Sequence, residues 1–180
     1  MSAVARRYAK ALFALAKEGG TLQPAAEQLE RVAAFAGDPT VAPVLRSPLL
    51  SAERRAELVA ILARETGLSD LLARFVRLLG DHRRLGELRA IHDAFQHLLD
   101  AELGRVRISI RTATPLATAA QADIVATFST LTGKQVLPQV AVEPDLLGGV
   151  VVEVEGKVYD GTVRTQLDRL AKELAGTASL

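Results

Sequence analysis

Residues 146–167 read LLGGVVVEVEGKVYDGTVRTQL, a stretch with the parts of a phosphate-binding loop: adjacent glycines, a Gly-Lys pair and a helix-like tail. Such a loop needs a glycine, four residues, then Gly-Lys-Ser/Thr opening a helix. Here Gly156-Lys157 is followed by Val158 and Tyr159, and the pair Gly148-Gly149 lies upstream across a strand-like run of valines. The Gly-x-Gly-x-x-Gly fingerprint is not met either. The spacing describes a hairpin, with Gly148-Gly149 turning the chain tightly into a strand and Gly156 supplying a positive-φ turn. A small nucleotide-handling enzyme built on that hairpin stays only as a rival reading.

Other residue types that could do chemistry are scattered. His82, His92 and His97 share no i, i+4 helix face and have no carboxylate at ligand spacing, so no metal is expected. Cysteine is absent, which excludes thiolate ligands, disulfides and cysteine nucleophiles. Glu153 and Glu155 fall on one strand face toward water. Arg105, Arg107 and Arg111 lie along a strand without interleaved aromatics, a poor platform for RNA. No catalytic residue, cofactor or metal is expected.

The elements that would position these residues fall into two periods. The chain has 180 residues, 49% of them hydrophobic, and a formal net charge of +1 from 22 basic and 21 acidic side chains. That balance leaves no electrostatic footprint for nucleic acid, and no apolar run approaches the ~20 residues that span a bilayer. The opening MSAVARRYAKALFALAKEGG resembles a targeting segment, but its apolar stretch Ala11–Ala16 is shorter than the ~7–15 residues a secretory core needs. It reads as a first helix. Asparagine is missing and 17 of the 22 basic residues are arginine, as either a thermophile or a GC-rich genome would give.

Over residues 2–103 the helical period predicts six helices. They run from about Ser2 to Glu18, Gln23 to Ala36, Asp38-Pro39 to Arg46, a Ser51 cap to Thr66, a Ser69 cap to Asp81, and Arg84 to Leu103. Short connections make these an antiparallel bundle over 1–104. At Gly104 the period changes. Val106, Ile108 and Ile110 alternate with polar residues in a half-buried strand. Thr118 and Gln121 form a capping box for a helix to about Leu131. Strands follow at Val136–Val142, edge-like at Pro138, at Gly149–Glu155, and at Lys157–Tyr159 across a Glu155-Gly156 turn. Thr162 caps a last helix with the stripe Val163, Leu167, Leu170 and Leu174. Residues 105–180 therefore read as a small α+β domain with a short mixed sheet. Arg164 sits in the first turn of that last helix, where a cation opposes the macrodipole; Asp160 could offset it, or the arginine could serve a partner.

Leu146-Leu-Gly-Gly149, the alternating valines, then Lys157-Val-Tyr-Asp160-Gly-Thr-Val-Arg164 and Leu167 resemble the C-terminal signature of the delta subunit of F-type ATP synthases, the oligomycin-sensitivity-conferring protein family. Ala5-Arg-Arg-Tyr8-Ala-Lys-Ala-Leu12-Phe is similar to the family's first helix. Leu45-Arg-Ser-Pro48, Phe75-Val-Arg-Leu-Leu79 with Arg83, and Thr112-Ala-Thr-Pro115-Leu116 also fit. The resemblance implies a non-catalytic stator subunit of the proton-translocating ATP synthase, resisting rotor torque during ATP synthesis. It implies an N-terminal domain that holds the N-terminal helices of the alpha subunits and a C-terminal domain that holds the b-type stalk. Gly148, Gly149, Asp160, Gly161, Arg164 and Leu167 then form a structural or stalk-binding signature. The expected location is peripheral, on the cytoplasmic face of a bacterial plasma membrane. A free-standing helical adaptor is the second rival.

The residues agree with such a role. In the first helix, apolar positions from Val4 to Ala16 spread over ~200° of the wheel, whereas one core contact needs about 100°. The fifth helix is similar around Leu68–Leu79. Surplus apolar face implies a second, helix-sized contact, the alternative being that both helices are simply central. The expected partner-binding residues are Tyr8, Ala9, Leu12, Phe13, Ala16, Phe75, Leu78 and Leu79. Ala9 is assigned to the surplus face, its small side chain letting another helix approach.

Overall fold

The computed structural model describes residues 2–47, 49–146 and 148–167, so Leu170 and Leu174 of the expected last stripe lie outside the described residues. The chain is mostly helical, with one four-stranded mixed sheet. Its contacts divide it into two compact units, Met1–Leu99 and Asp100–Leu180. The division falls near the end of the sixth helix. There Asp100, itself buried, is bound through its carboxylate to the guanidinium of Arg107 on the following strand.

The first unit carries α1 (Ala3–Glu18), α2 (Leu22–Ala36), α3 (Val41–Arg46), α4 (Ala52–Thr66), α5 (Asp70–Asp81), a 3-10 turn (Leu85–Glu87) and α6 (Leu88–Glu102). Local chemistry sets most of these limits. The Ser2 hydroxyl accepts from the Ala5 N–H at 3.4 Å and the Ser51 hydroxyl from the Arg54 N–H at 3.3 Å, each satisfying a donor the first turn leaves free. Gly67 closes α4 in the left-handed conformation, φ 59°.

Three expectations need correcting. Asp38 shapes the turn before the helix, its carboxylate accepting from the Thr40 N–H at 2.8 Å, but Thr40 holds the N-cap position and the regular helix begins only at Val41, two residues after Pro39. Ser69 precedes α5 without a side-chain cap bond; its N–H instead donates to the Gln28 side chain of α2 at 2.7 Å, a tertiary bond the local pattern cannot carry. Residues 85–87 form a tight 3-10 turn before α6. The core of this unit joins Leu12, Leu29, Val32, Leu62, Leu72, Val76, Leu79, Leu88, Ile91 and Phe95. The α4–α5 approach is close enough that a Cβ on Gly80 would meet Val59 Cγ2 at 2.9 Å.

The second unit holds β1 (Arg105–Thr112), α7 (Thr118–Thr132), β2 (Gln135–Val142), β3 (Val150–Val154) and β4 (Lys157–Asp160) in the order β2-β1-β3-β4. β1 pairs parallel with β2 and antiparallel with β3, which pairs antiparallel with β4. Pro138 is tolerated because β2 is an edge strand. Val106, Ile108, Ile110, Val136, Val152 and Val154 share one face and pack with Phe128 of α7, as the alternation requires. The capping box is not formed: Ala117 takes the cap position and Thr118 is already helical, with no side-chain cap bond. Gly133 stops α7 at φ 65°.

Candidate partner-docking site

Two stripes run side by side on α1. Ala5, Ala9, Leu12 and Ala16 recur at i, i+4, i+7, i+11 and are fully buried. Val4, Tyr8, Ala11 and Leu15 repeat the same spacing one residue earlier. Val4 and Tyr8 are half-buried, Ala11 is exposed, and Leu15 is 54% exposed. On α5, Leu72, Val76 and Leu79 are buried, while Leu71, Phe75 and Leu78 follow at i, i+4, i+7 on the flank. Leu78 is 44% exposed and Phe75 is at the margin, 7% exposed. The two flanking stripes meet where the Tyr8 ring stands edge-on to Phe75, centroids 6.4 Å apart. The Arg7 guanidinium lies 5.7 Å from the centre of the Tyr8 ring, a cation–π contact that orients it. Single exposed leucines are ordinary; here Leu15 and Leu78 fall on apolar stripes of two helices that touch at Tyr8 and Phe75.

The expected partner-binding residues thus separate. Tyr8 and Leu78 lie on the exposed flank, while Phe75, against expectation, belongs to the buried core of the unit. Ala9, Leu12, Ala16 and Leu79 are fully buried, so the assignment of Ala9 to an outward face is corrected. Its small side chain serves close packing inside the unit. Phe13, half-buried, turns the other way and packs edge-on against Phe95 at 5.6 Å. Val4, Ala11, Leu15 and Leu71 join Tyr8 and Leu78 at the same helical spacing.

In the second unit the signature residues build a backbone junction. Gly148 and Gly149 have φ 146° and 89°, and a Cβ on Gly149 would stand 2.4 Å from the Gly161 carbonyl oxygen. The Gly161 N–H donates to the Val150 carbonyl at 2.9 Å and the Val163 N–H to the Gly148 carbonyl at 3.1 Å. Asp160 closes the next turn, its carboxylate accepting from the Thr162 N–H and the Thr165 hydroxyl, both at 2.9 Å. These bonds, the Thr162 N–H first, hold its carboxyl below the ordinary aspartate range. The Thr162 hydroxyl accepts from the Thr165 N–H at 3.3 Å, the N-cap bond expected for the helical residues 163–167. Arg164 and Leu167 are both exposed. The charge of Arg111 adds a smaller lowering at Asp160 after the Thr162 and Thr165 bonds. Arg164 joins Arg111, Asp145, Asp160 and Val151 around a cleft of about 250 Å³ on the sheet face opposite α7.

Several of the residues read for other chemistry have structural roles. Glu155-Gly156 is a two-residue hairpin loop with both φ positive, 48° and 79°, and Lys157 opens β4 rather than a helix. Arg105 donates to Gln135 at 3.0 Å, and Arg111 pairs with Glu143 at 3.3 Å. His92 bonds Asp93 and Gln96, while His82 and His97 are exposed.

A family model described as "ATP synthase delta (OSCP) subunit" matches residues 4–174. The chain belongs to that family. It is 44% identical to the ATP synthase subunit delta of Anaeromyxobacter sp. (strain Fw109-5), over 97% of this chain and 98% of the relative. It is 40% identical to that of Myxococcus xanthus, over 95% and 96%. Among solved structures it superposes on a chain of the Toxoplasma gondii mitochondrial ATP synthase hexamer with a TM-score of 0.72. That match has 25% identity and covers 97% of this chain and 98% of the other. As a delta-type subunit the chain is a non-catalytic, peripheral-stalk component of ATP synthase. Among the described residues, no helix is long and apolar enough to cross a membrane.

Proposed function

We propose that the first unit, a six-helix antiparallel bundle over about 1–104, grips the catalytic head. It does so by taking N-terminal helices of the alpha subunits onto the flanking stripes of α1 and α5. The observation that carries this is the pair of half-exposed apolar stripes joined at Tyr8 and Phe75. The domain at about 105–180 grips the b-type stalk, with the Gly148–Arg164 junction holding that surface in shape. Held at both ends, the head resists rotor torque during ATP synthesis, and the subunit sits peripherally at the cytoplasmic face of the bacterial plasma membrane.

The reading is tested by titrating the full chain with a peptide of the alpha-subunit N-terminus. Leu15→Asp and Leu78→Asp each place a charge in the contact and should weaken binding roughly a hundredfold while the melting temperature stays near that of the parent. Pull-down from native membranes should recover alpha, beta and b-type subunits. Recovery of none of them would mark a free-standing adaptor instead.

A further inference from the structure

A second feature of the first unit shares no residue with the docking stripes. Arg46 at the end of α3, Arg55 near the start of α4, and Arg83 and Arg84 after α5 line one cleft of about 380 Å³, in which Glu87 is the sole acidic lining residue. Arg55 is 9% exposed, and its Nη2 donates to the Leu50 carbonyl at 2.7 Å. Among the described residues no carboxylate stands within ion-pair distance of any of the four. Buried guanidinium groups are ordinarily paired, and like charges around one cleft repel.

Two of the four are held there against local preference. Arg83 occupies a left-handed position, φ 57°. There its N–H reaches the Gly80 carbonyl at 3.0 Å and the Arg84 N–H reaches that of Leu79 at 2.7 Å. Glycine usually takes this position after a helix, and another residue there is strained. Arg55 lies in the first turn of α4, where the macrodipole disfavours a cation. Arg46 is fixed as well: a Cβ on Gly86 would meet its Cγ at 2.9 Å. The carbonyl end of α5 accounts for cations at 83 and 84 but not for Arg55, whose contacts are the Leu50 carbonyl and the charge of the exposed Glu53.

We infer that this cleft binds a phosphate-type oxyanion, supplied either as inorganic phosphate or as the phosphoryl end of a nucleotide. Forked guanidinium donors match phosphate oxygens in pairs, and one such group offsets most of the cleft's positive charge.

The test is an NMR titration of the full chain with inorganic phosphate at constant ionic strength, with ATP in a parallel arm. Saturable shifts should centre on residues 45–47, 55 and 83–87, with a dissociation constant on the order of 1 mM. Arg83→Gly removes a cation while relieving the backbone, so it should melt no lower than the parent. It and Arg46→Gln should each weaken phosphate binding roughly three- to tenfold, whereas Arg6→Gln on α1 should not. ATP binding more tightly than phosphate through the same residues would identify a nucleotide as the source, and equal or weaker binding would identify inorganic phosphate. The inference is overturned if phosphate gives no more than a chloride control, if both variants bind as the parent does, or if only an oligoglutamate peptide saturates the cleft.

Discussion

Replacing Gly149 by alanine should unfold the second unit's sheet while leaving the first unit closed. At φ 89° the added Cβ would meet the Gly161 carbonyl oxygen at 2.4 Å and Thr162 Cα at 2.7 Å. Both are backbone atoms, and the segment carrying them is tied to β3 and Gly148 by two hydrogen bonds, so neither can swing aside as a side chain would. The left-handed conformation costs an alanine about 1–2 kcal/mol, and clearing the overlap adds about 1–3 kcal/mol. A loss of about 2–5 kcal/mol is a large share of the stability of a small domain. Gly156 is the control. Its φ is 79°, but nothing stands within 4 Å of its would-be Cβ, so Gly156→Ala should cost only the conformational part, about 1–2 kcal/mol. The chain lacks tryptophan, so the measurement is hydrogen exchange resolved by peptide. Gly149→Ala should accelerate exchange across β1 and β3 while α1–α5 keep their protection, and Gly156→Ala should do so far less. Equal effects of the two variants would refute the close approach as the reason for the glycine.

Ala9→Arg should unfold the first unit, since an unpaired charge in that fully buried position costs about 3–5 kcal/mol; Leu15→Arg, on the exposed stripe, should leave its melting temperature nearly unchanged. Arg107→Ala strands the buried Asp100 carboxylate without its guanidinium partner and should lower stability by about 1–3 kcal/mol in a urea melt, with Asp100→Asn recovering part of it in the double variant. Asp160 has its carboxyl pKa lowered, first by the Thr162 N–H, so its contribution is present above the unfolded value near 4 and is lost as pH falls through the lower folded value. Exchange protection of the β3–β4 hairpin should therefore decline below about pH 4, and Asp160→Asn should flatten that decline.

Much of the fold was legible because its signals are local. Ser51 and Gly67 bound α4 by chemistry contained within a few residues. The alternation of Val106, Ile108 and Ile110 fixes which face of β1 is buried, since a strand has only two faces to choose between. Glu155-Gly156 gives its hairpin for the same reason. What the sequence left open depends on neighbours. Ser69 gives up its cap bond while its N–H takes a partner on α2, and Thr118 yields the cap position to Ala117. The wide apolar arc of α1 left open whether the helix is simply central or carries a second contact surface, because a helix can be rotated continuously about its axis. Only the packing of α1 within its unit decides that Ala9 and Leu12 point inward and that Tyr8 and Leu15 form the flank. The arginine cleft is a tertiary product too, since residues 46, 55, 83 and 84 come from three separate segments. Nothing in their spacing brings them together; the packing of α3, α4 and the turn after α5 does.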